Sequence, residues 1–274
     1  MAAVSVLPTE LVILVISFAA TAHRSTAARL CLVSKWVRDI VEPILYRVLV
    51  LTSTTSADTQ RWLHSTKFHV HIQCFGVVFG PIIVAQPEDP KVQPVSVRNF
   101  ATDCAFYDDL VVTSDVEELH LLARRTPGWM FPQLKRLHFS TRQLIPIYRD
   151  IPFPVQDILR HPQLTHIAFS VSEEPRMSSL MLAVMRLLKE HKPLLLLYVR
   201  LLPSPTVVIR GAVDSESIDG QFASIGDPRL AMRRVNIDSH ADSLISEWEH
   251  NSLCGESIWD EAQAHLQRSM VYSL

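Results

Sequence analysis

A nine-residue motif that occurs twice at an interval of 30 residues constrains the fold of this chain more than any other feature. Residues 132–140 read PQLKRLHFS and residues 162–170 read PQLTHIAFS, so that five of the nine positions are identical. The same interval leads to a third apolar set at Leu194, Leu197 and Val199. Segments that recur at a fixed interval form one structural unit each and stack on their neighbours. We therefore predict three adjacent strands with matching register.

The leucine spacing within the motif is typical of leucine-rich repeats, and Val116, Leu119 and Leu121 show the same L-x-x-L-x-L rhythm upstream. Residues 178–190, between the second and third predicted strands, have the apolar pattern of a half-buried helix. A strand followed by a helix at a fixed interval predicts a parallel sheet with helices on one side. The sequence therefore predicts an α/β fold, an irregular leucine-rich-repeat-like solenoid over residues 47–274.

The remaining segments of this region are less regular. We predict strands at residues 47–51, 68–79 and 229–237 and a short helix at 57–63. The tract 81–94 holds four prolines and is predicted to be a loop, and the polar tract 212–227 is predicted to be a mobile loop. Residues 256–270 have one apolar helical face, and we predict a C-terminal capping helix there because the end of a solenoid otherwise exposes its core.

The first 46 residues predict a separate module of three short helices. Proline and an acidic residue suit the first turn of a helix, as Pro8 and Glu10 do here. Ser25 or Thr26 is predicted to cap a second helix over 27–33, and Ser34 a third that ends before Pro43. Three helices of this length bury little surface by themselves, so we expect the module to pack against something else.

This module resembles an F-box. Residues 7–11 read LPTEL, residues 16–18 read ISF, and residues 29–36 read RLCLVSKW, in the order that the F-box pattern has them. The continuation VEPILYR at residues 41–47 is similar to the exit from the F-box in large fungal families. The resemblance covers about one sixth of the chain, residues 6–46.

The resemblance implies a non-enzymatic substrate-recognition subunit of a cullin–RING (SCF-type) ubiquitin ligase, in the cytoplasm, the nucleus or both. Residues 1–46 would dock a Skp-type adaptor and through it the cullin, and the solenoid would bind a protein substrate that the sequence does not identify. It implies no catalytic residue, metal or cofactor. The positions that match the adaptor face of an F-box are Leu7, Pro8, Leu11, Ile16, Val33 and Trp36.

Two other functions stay open on the sequence. A few extra residues between Phe18 and Val33, and the position of Trp36 directly after Lys35, fit a repeat-type interaction scaffold with a degenerate F-box that engages no ubiquitin ligase. An enzyme on an α/β scaffold is the third hypothesis, and two segments bear on it. His69 and His71 would lie on one face of a strand, near His64 and Cys74, and could share a metal ion. Residues 238–242 read DSHAD, in which a carboxylate beside a histidine can indicate acid–base catalysis.

Composition excludes several other classes of protein. Only seven of 274 residues are glycine, and none forms a phosphate-binding loop. A net charge of −2 argues against a large cationic surface for nucleic acid. The apolar run at residues 11–18 is much shorter than a membrane span, and the four cysteines are scattered, so we expect a reduced intracellular protein. For the target we expect contacts from polar residues on the strand side, including Lys135, His138 and Thr165, and from the loop 81–94.

Overall fold

The fold is taken from a computed structural model, which describes residues 7–52, 72–78, 98–102, 116–121, 131–140, 155–172, 177–202, 215–235, 241–255 and 257–271. The helices in these residues are α1 (Thr9–Ala22), α2 (Arg24–Leu30), α3 (Lys35–Leu45), α4 (Val155–Leu159), α5 (Met177–Glu190), α6 (Ser215–Ile225), α7 (Ala241–Cys254) and α8 (Ile258–Val271). The strands are β1 (Val48–Thr52), β2 (Cys74–Val78), β3 (Asn99–Thr102), β4 (Glu118–Leu121), β5 (Arg136–Ser140), β6 (His166–Ser172), β7 (Leu196–Leu202) and β8 (Leu230–Arg234).

The described strands form one parallel sheet of eight, in which each strand lies beside the next one in the chain. The repeated motif accounts for the register at its centre. Leu137 of β5 lies opposite Ile167 of β6, and Ile167 lies opposite Leu197 of β7, so each step across the sheet is 30 residues. The prediction of a parallel sheet with matching register is confirmed for these three strands.

The first face of the sheet carries the main hydrophobic core. Alternate strand residues such as Leu119, Leu137, Ile167 and Leu197 point into it and are almost completely buried. Helices α4, α5 and α6 cover this face with apolar side chains of their own. The repeated phenylalanines of the motif stack on each other there, since the ring centroids of Phe139 and Phe169 lie 5.7 Å apart.

The second face of the sheet is covered by the two C-terminal helices. Trp248 of α7 packs near β1–β3 in one small apolar cluster, and Trp259 of α8 packs on Ala168 and Tyr198 in another. The C-terminal helix thus lies against the last strand, β8, but it covers the second face of the sheet and not the main core. Small residues such as Ala168 leave room on this face for the indole rings. Burial of these rings favours a position of α7 and α8 on the face over one at the edge of the sheet.

Three local expectations differ from the structure. Helix α2 begins at Arg24, after the extended residue His23, so that Ser25 and Thr26 lie inside the helix. Helix α3 continues through Pro43, which has no N–H group to bond to the carbonyl group of Asp39. Both residues are exposed, so water can bond to that carbonyl group instead.

Residues 215–225, predicted to be part of a mobile loop, form α6, because Ile218 and Phe222 are one turn apart and both are buried in the main core. The predicted cap of α3 is confirmed, since the Ser34 hydroxyl accepts a hydrogen bond from the Val37 amide at 3.1 Å. The predicted helix at 57–63 and the predicted loop at 81–94 lie outside the described residues.

Gly76 of β2 lets α7 approach the sheet closely. A Cβ atom at this position would lie 2.8 Å from Cζ3 of the Trp248 ring and 3.5 Å from Cδ1 of Ile245. Gly76→Ala is therefore expected to lower the free energy of unfolding by about 1–3 kcal/mol, the usual effect of overpacking. Gly220→Ala is the matched control, because nothing lies within 4 Å of that site in α6, and it should raise stability by about 0.5–1 kcal/mol. Urea unfolding of the two variants checks this; equal effects would contradict the close approach of Trp248.

Candidate functional site

The N-terminal module, defined as helices α1–α3, has a small core of its own. Ala20, Ala27, Val37 and Val41 are its buried members, and two of these four are alanines. Ile16 is partly buried against this core. Such a core uses few of the module's large apolar side chains, so most of the others remain at the surface.

One face of α1 consists of exposed apolar side chains, which we call the α1 stripe: Leu11, Leu14, Val15 and Phe18. Steps of three and four residues place these side chains within one narrow sector of the helix. All four are exposed, Phe18 by 76% of its surface. Leu7, just before the helix, is exposed as well.

The connection between α2 and α3 presents a second exposed apolar group, Leu32, Val33 and Trp36. The backbone turns tightly here, because the amides of Leu32 and Val33 bond to carbonyl groups three residues earlier. The Arg38 Nε atom donates to the carbonyl oxygen of Cys31 at 3.0 Å and holds the same turn. The turn directs Leu32 outward, with 79% of its surface exposed.

The sequence-predicted adaptor residues divide into two groups. Leu7, Pro8, Leu11, Val33 and Trp36 lie at the surface of the module, where a partner can reach them. Ile16 packs partly against the module core instead. The predicted adaptor residues lack four other exposed ones, Leu14, Val15, Phe18 and Leu32, although the first three have helical spacing with Leu11 in the sequence.

A chain of buried polar side chains, which we call the buried relay, lies on the second face of the sheet. It consists of Glu118, His120, His138 and the two serines Ser140 and Ser170. Glu118 Oε1 lies 2.6 Å from His120 Nε2, and the Nδ1 atoms of the two histidines are 3.0 Å apart. His138 Nε2 lies 2.8 Å from Ser170 Oγ and 3.2 Å from Ser140 Oγ.

Strand geometry explains why these residues meet. His120 and His138 are direct partners in the β4–β5 pairing, so their side chains stand on the same face of the sheet. Ser140 and Ser170 are partners in the β5–β6 pairing one step further along. The expectation that His138 is exposed for target contact is wrong, because α7 and α8 cover this face and leave His138 6% exposed. Lys135 does remain at the surface, beside Glu117.

The environment of the relay sets its charge state. Burial disfavours an ionised Glu118, but the hydrogen bond and charge of His120, with help from Trp259 and Arg136, hold the pKa of this carboxyl below its usual range. Burial, followed by the charges of His120 and Arg200, lowers the pKa of His138 well below its usual value. Glu118 is therefore ionised and His138 neutral at pH 7.

A small cavity lies between the relay and α7, with a volume of about 40 Å³. Arg200 of β7 lines it and is almost completely buried. Two nitrogen atoms of its guanidinium group bond to Glu247 of α7 at 2.6 and 3.2 Å. Its Nε atom is buried with no hydrogen-bond partner and lies 3.8 Å from Glu261 Oε2.

The neutral histidine predicts acid lability. An unfolded histidine has a pKa of about 6.5, whereas His138 stays unprotonated in the folded chain to a much lower pH, so the unfolded state binds more protons. The contribution of His138 to the free energy of unfolding should therefore be fully present above pH ~6.5. As the pH decreases below that value, the contribution should decrease by up to about 1.4 kcal/mol per pH unit. His166 and His265 are shifted in the same direction by burial and add to the slope.

Urea unfolding between pH 7.5 and pH 5.5 measures this slope, and His138→Gln serves as the comparison. The variant should be less stable at pH 7.5 but lose less stability on acidification than the native chain. Equal pH slopes for both proteins would contradict the assignment of a neutral His138.

The other candidate sites of the sequence are only partly visible. His64, His69 and His71 lie outside the described residues, as does the segment 238–240. Within the part of the chain that the structure describes, no group of three ligating side chains is placed to hold a metal ion. The same part contains no helix with the length and apolar character needed to cross a bilayer. Comparison of the chain with protein-family models, curated proteins and solved structures gave no match in any of the three.

Proposed function

We propose that this chain is the substrate-recognition subunit of an SCF-type ubiquitin ligase and has no enzymatic part in ubiquitin transfer. Its N-terminal module docks a Skp-type adaptor, and the adaptor joins it to the cullin. The single observation that carries this proposal is the distribution of exposed apolar side chains. Of the twelve large exposed hydrophobic residues in the described part of the chain, nine lie between Leu7 and Trp36.

Burial in a partner is the physical reason for such a surface. Each large apolar side chain that moves from water into a protein interface contributes about 1.5–3 kcal/mol. The α1 stripe and the exposed group of the α2–α3 connection together offer seven such side chains on one small module. Exposed apolar surface of this density, on a module with so small a core, favours a permanent protein partner.

The contacts behind the module support a receptor in which adaptor and target are held at a fixed separation. Only Tyr46 and Arg47 connect α3 to β1. Arg24 Nη1 bonds to Glu249 Oε1 of α7 at 2.7 Å, and the Arg47 guanidinium group donates to the carbonyl oxygens of Ser252 and Leu253. Helix α7 thus holds the module against the sheet, whereas a flexible linker would let the two move independently.

We also propose that the parallel sheet is an irregular leucine-rich-repeat-like solenoid that binds the target protein. The 30-residue register and the strand order support this proposal. Because α7 and α8 fill the second face of the sheet, we propose that the target contacts other surfaces, such as that around Lys135.

Co-expression of the full chain with a Skp-type adaptor tests the proposal. We expect the two proteins to co-purify as a stoichiometric complex, because the adaptor covers the apolar surface of the module. A chain that is soluble and folded yet does not retain the adaptor would overturn the ligase assignment. It would favour the interaction scaffold with a degenerate F-box.

A further inference from the structure

The protons of the buried relay can be arranged so that each group accepts from the next one, from Glu118 to the serines. Glu118 accepts from His120 Nε2, and when this is the single proton of His120, its Nδ1 atom carries a lone pair. That lone pair accepts from His138 Nδ1, which leaves the lone pair of His138 on Nε2. His138 Nε2 therefore accepts from a serine hydroxyl group. In this arrangement the carboxylate, acting through His120, orients His138 so that its Nε2 atom is a base aimed at serine.

The two serines differ in what surrounds them. Ser140 lines the cavity beside Arg200, whereas Ser170 is fully buried outside the cavity wall. Asn251, Ser252 and Ser257, near the connection between α7 and α8, are among the partly exposed residues that line the cavity, so solvent can reach it. Of the two hydroxyl groups, that of Ser140 is the one a small molecule in the cavity would meet.

Arg200 supplies the second, independent observation. A buried N–H group without a partner costs about 1–3 kcal/mol, and folded proteins seldom leave one unless a ligand or water completes it. Arg200 Nε is such a group, on a side chain that is 2% exposed and lines the same cavity as Ser140. An oxygen that carries negative charge in the cavity would find a donor there.

We propose that Ser140 is a nucleophile that accepts a small acyl group from a carboxylic ester, with His138 as its general base. Ser140 Oγ forms a bond to the carbonyl carbon while its proton moves to His138 Nε2. The carbonyl oxygen becomes an oxyanion, which Arg200 stabilises. When the carbon–oxygen bond of the ester breaks, the leaving alcohol takes the proton from His138. Water reverses these steps, releases the carboxylic acid and restores the serine hydroxyl.

Glu118 and His120 are positioning residues in this scheme, because they fix the tautomer of His138 and offset the charge it gains. The cavity is small, about 40 Å³, so the acyl group we propose is a short one such as acetyl. The ligase role needs no chemistry at this site, and adaptor docking uses exposed residues of the N-terminal module that do not line the cavity, so the two proposals are tested separately.

The test uses the full chain with p-nitrophenyl acetate as the probe, and follows nitrophenolate release and the site of acetylation by peptide mapping. We expect acetylation of Ser140 and a rate at least about 100-fold above that of Ser140→Ala, the scale of general-base catalysis. His138→Gln should lose the same factor. Ser224→Ala is the control, because Ser224 is an exposed serine of α6 that bonds to the Gln221 carbonyl oxygen and does not line the cavity, and it should keep the native rate within about threefold.

Circular dichroism and thermal melting verify that each variant is folded. Even if a variant does not fold, peptide mapping of the native chain shows whether Ser140 becomes acetylated. A native chain whose Ser140 stays unmodified, or a Ser140→Ala variant with the native rate, would overturn the proposal and leave the relay a purely structural network. Adaptor binding by Ser140→Ala should equal that of the native chain under either outcome.

Discussion

Replacing Leu11 with aspartate is expected to lower the affinity of the chain for a Skp-type adaptor by at least about 100-fold. Leu11 is 46% exposed in the α1 stripe and lies outside the core of the module. In a complex the aspartate would be buried against apolar groups, which costs several kcal/mol, and 2.7 kcal/mol already corresponds to about 100-fold. The variant should still fold, because aspartate in the first turn of α1 interacts favourably with the helix dipole. Titration of purified adaptor measures the change.

Leu182→Asp is the matched control for this experiment. Leu182 is also a highly exposed leucine, 69% accessible, but it lies on α5 and far along the chain from the module. It should leave adaptor affinity unchanged within about twofold. Equal losses for both variants would indicate a non-specific effect of charge, and no loss for Leu11→Asp would remove the α1 stripe from the interface.

Replacing Glu247 with alanine is expected to reduce the free energy of unfolding by about 3 kcal/mol. Its carboxylate bonds at two points to Arg200, which is 2% exposed, so the variant leaves a buried guanidinium group without its main partner. Breaking a buried ion pair from one side has an effect of about 3–5 kcal/mol. The lower end applies here because Glu247 itself is partly exposed and Glu261 remains 3.8 Å from Arg200 Nε.

Glu249→Ala is the control on the same helix. Glu249 pairs with Arg24 at 2.7 Å, but the Arg24 side chain is 39% exposed, and surface pairs contribute at most about 1 kcal/mol. Both substitutions change helix propensity equally, so urea unfolding isolates the effect of burial. A Glu247→Ala variant as stable as Glu249→Ala would show that Arg200 is solvated.

The sequence was sufficient for the centre of the sheet and for the outline of the module. The repeat fixed β5, β6 and β7 because identical side chains at one interval pack in identical rows. Ser34 was identified as a cap because its hydroxyl acts within one turn of chain. Both are local or periodic features, and the information for each lies within about 30 residues.

The placement of α7 and α8 was not predictable in the same way. Trp248 packs against Gly76, and its Nε1 atom donates to Asn99 Oδ1 at 3.1 Å, across 149 residues of chain. No periodicity links these positions. The burial of His138 depends on the same placement, so the strand pattern alone indicated the correct face but the wrong exposure.

Helix α6 shows a different limit of sequence reasoning. Ile218, Phe222 and Ile225 have helical spacing, but serines, Asp219 and Gly220 around them have low helix propensity and favoured a loop. Packing on the main core outweighed propensity, as it commonly does. The same weighting applies to Pro43, which α3 accommodates because it lies on the solvent side.

Hydrogen exchange of the full chain, with and without a Skp-type adaptor, tests docking through the N-terminal module. We expect a complex in which exchange slows in α1 and in the connection between α2 and α3, while β5–β7 and α5 exchange at the same rate as in the free chain. Absence of a complex, or slower exchange confined to the sheet and its helices, would contradict docking through the N-terminal module.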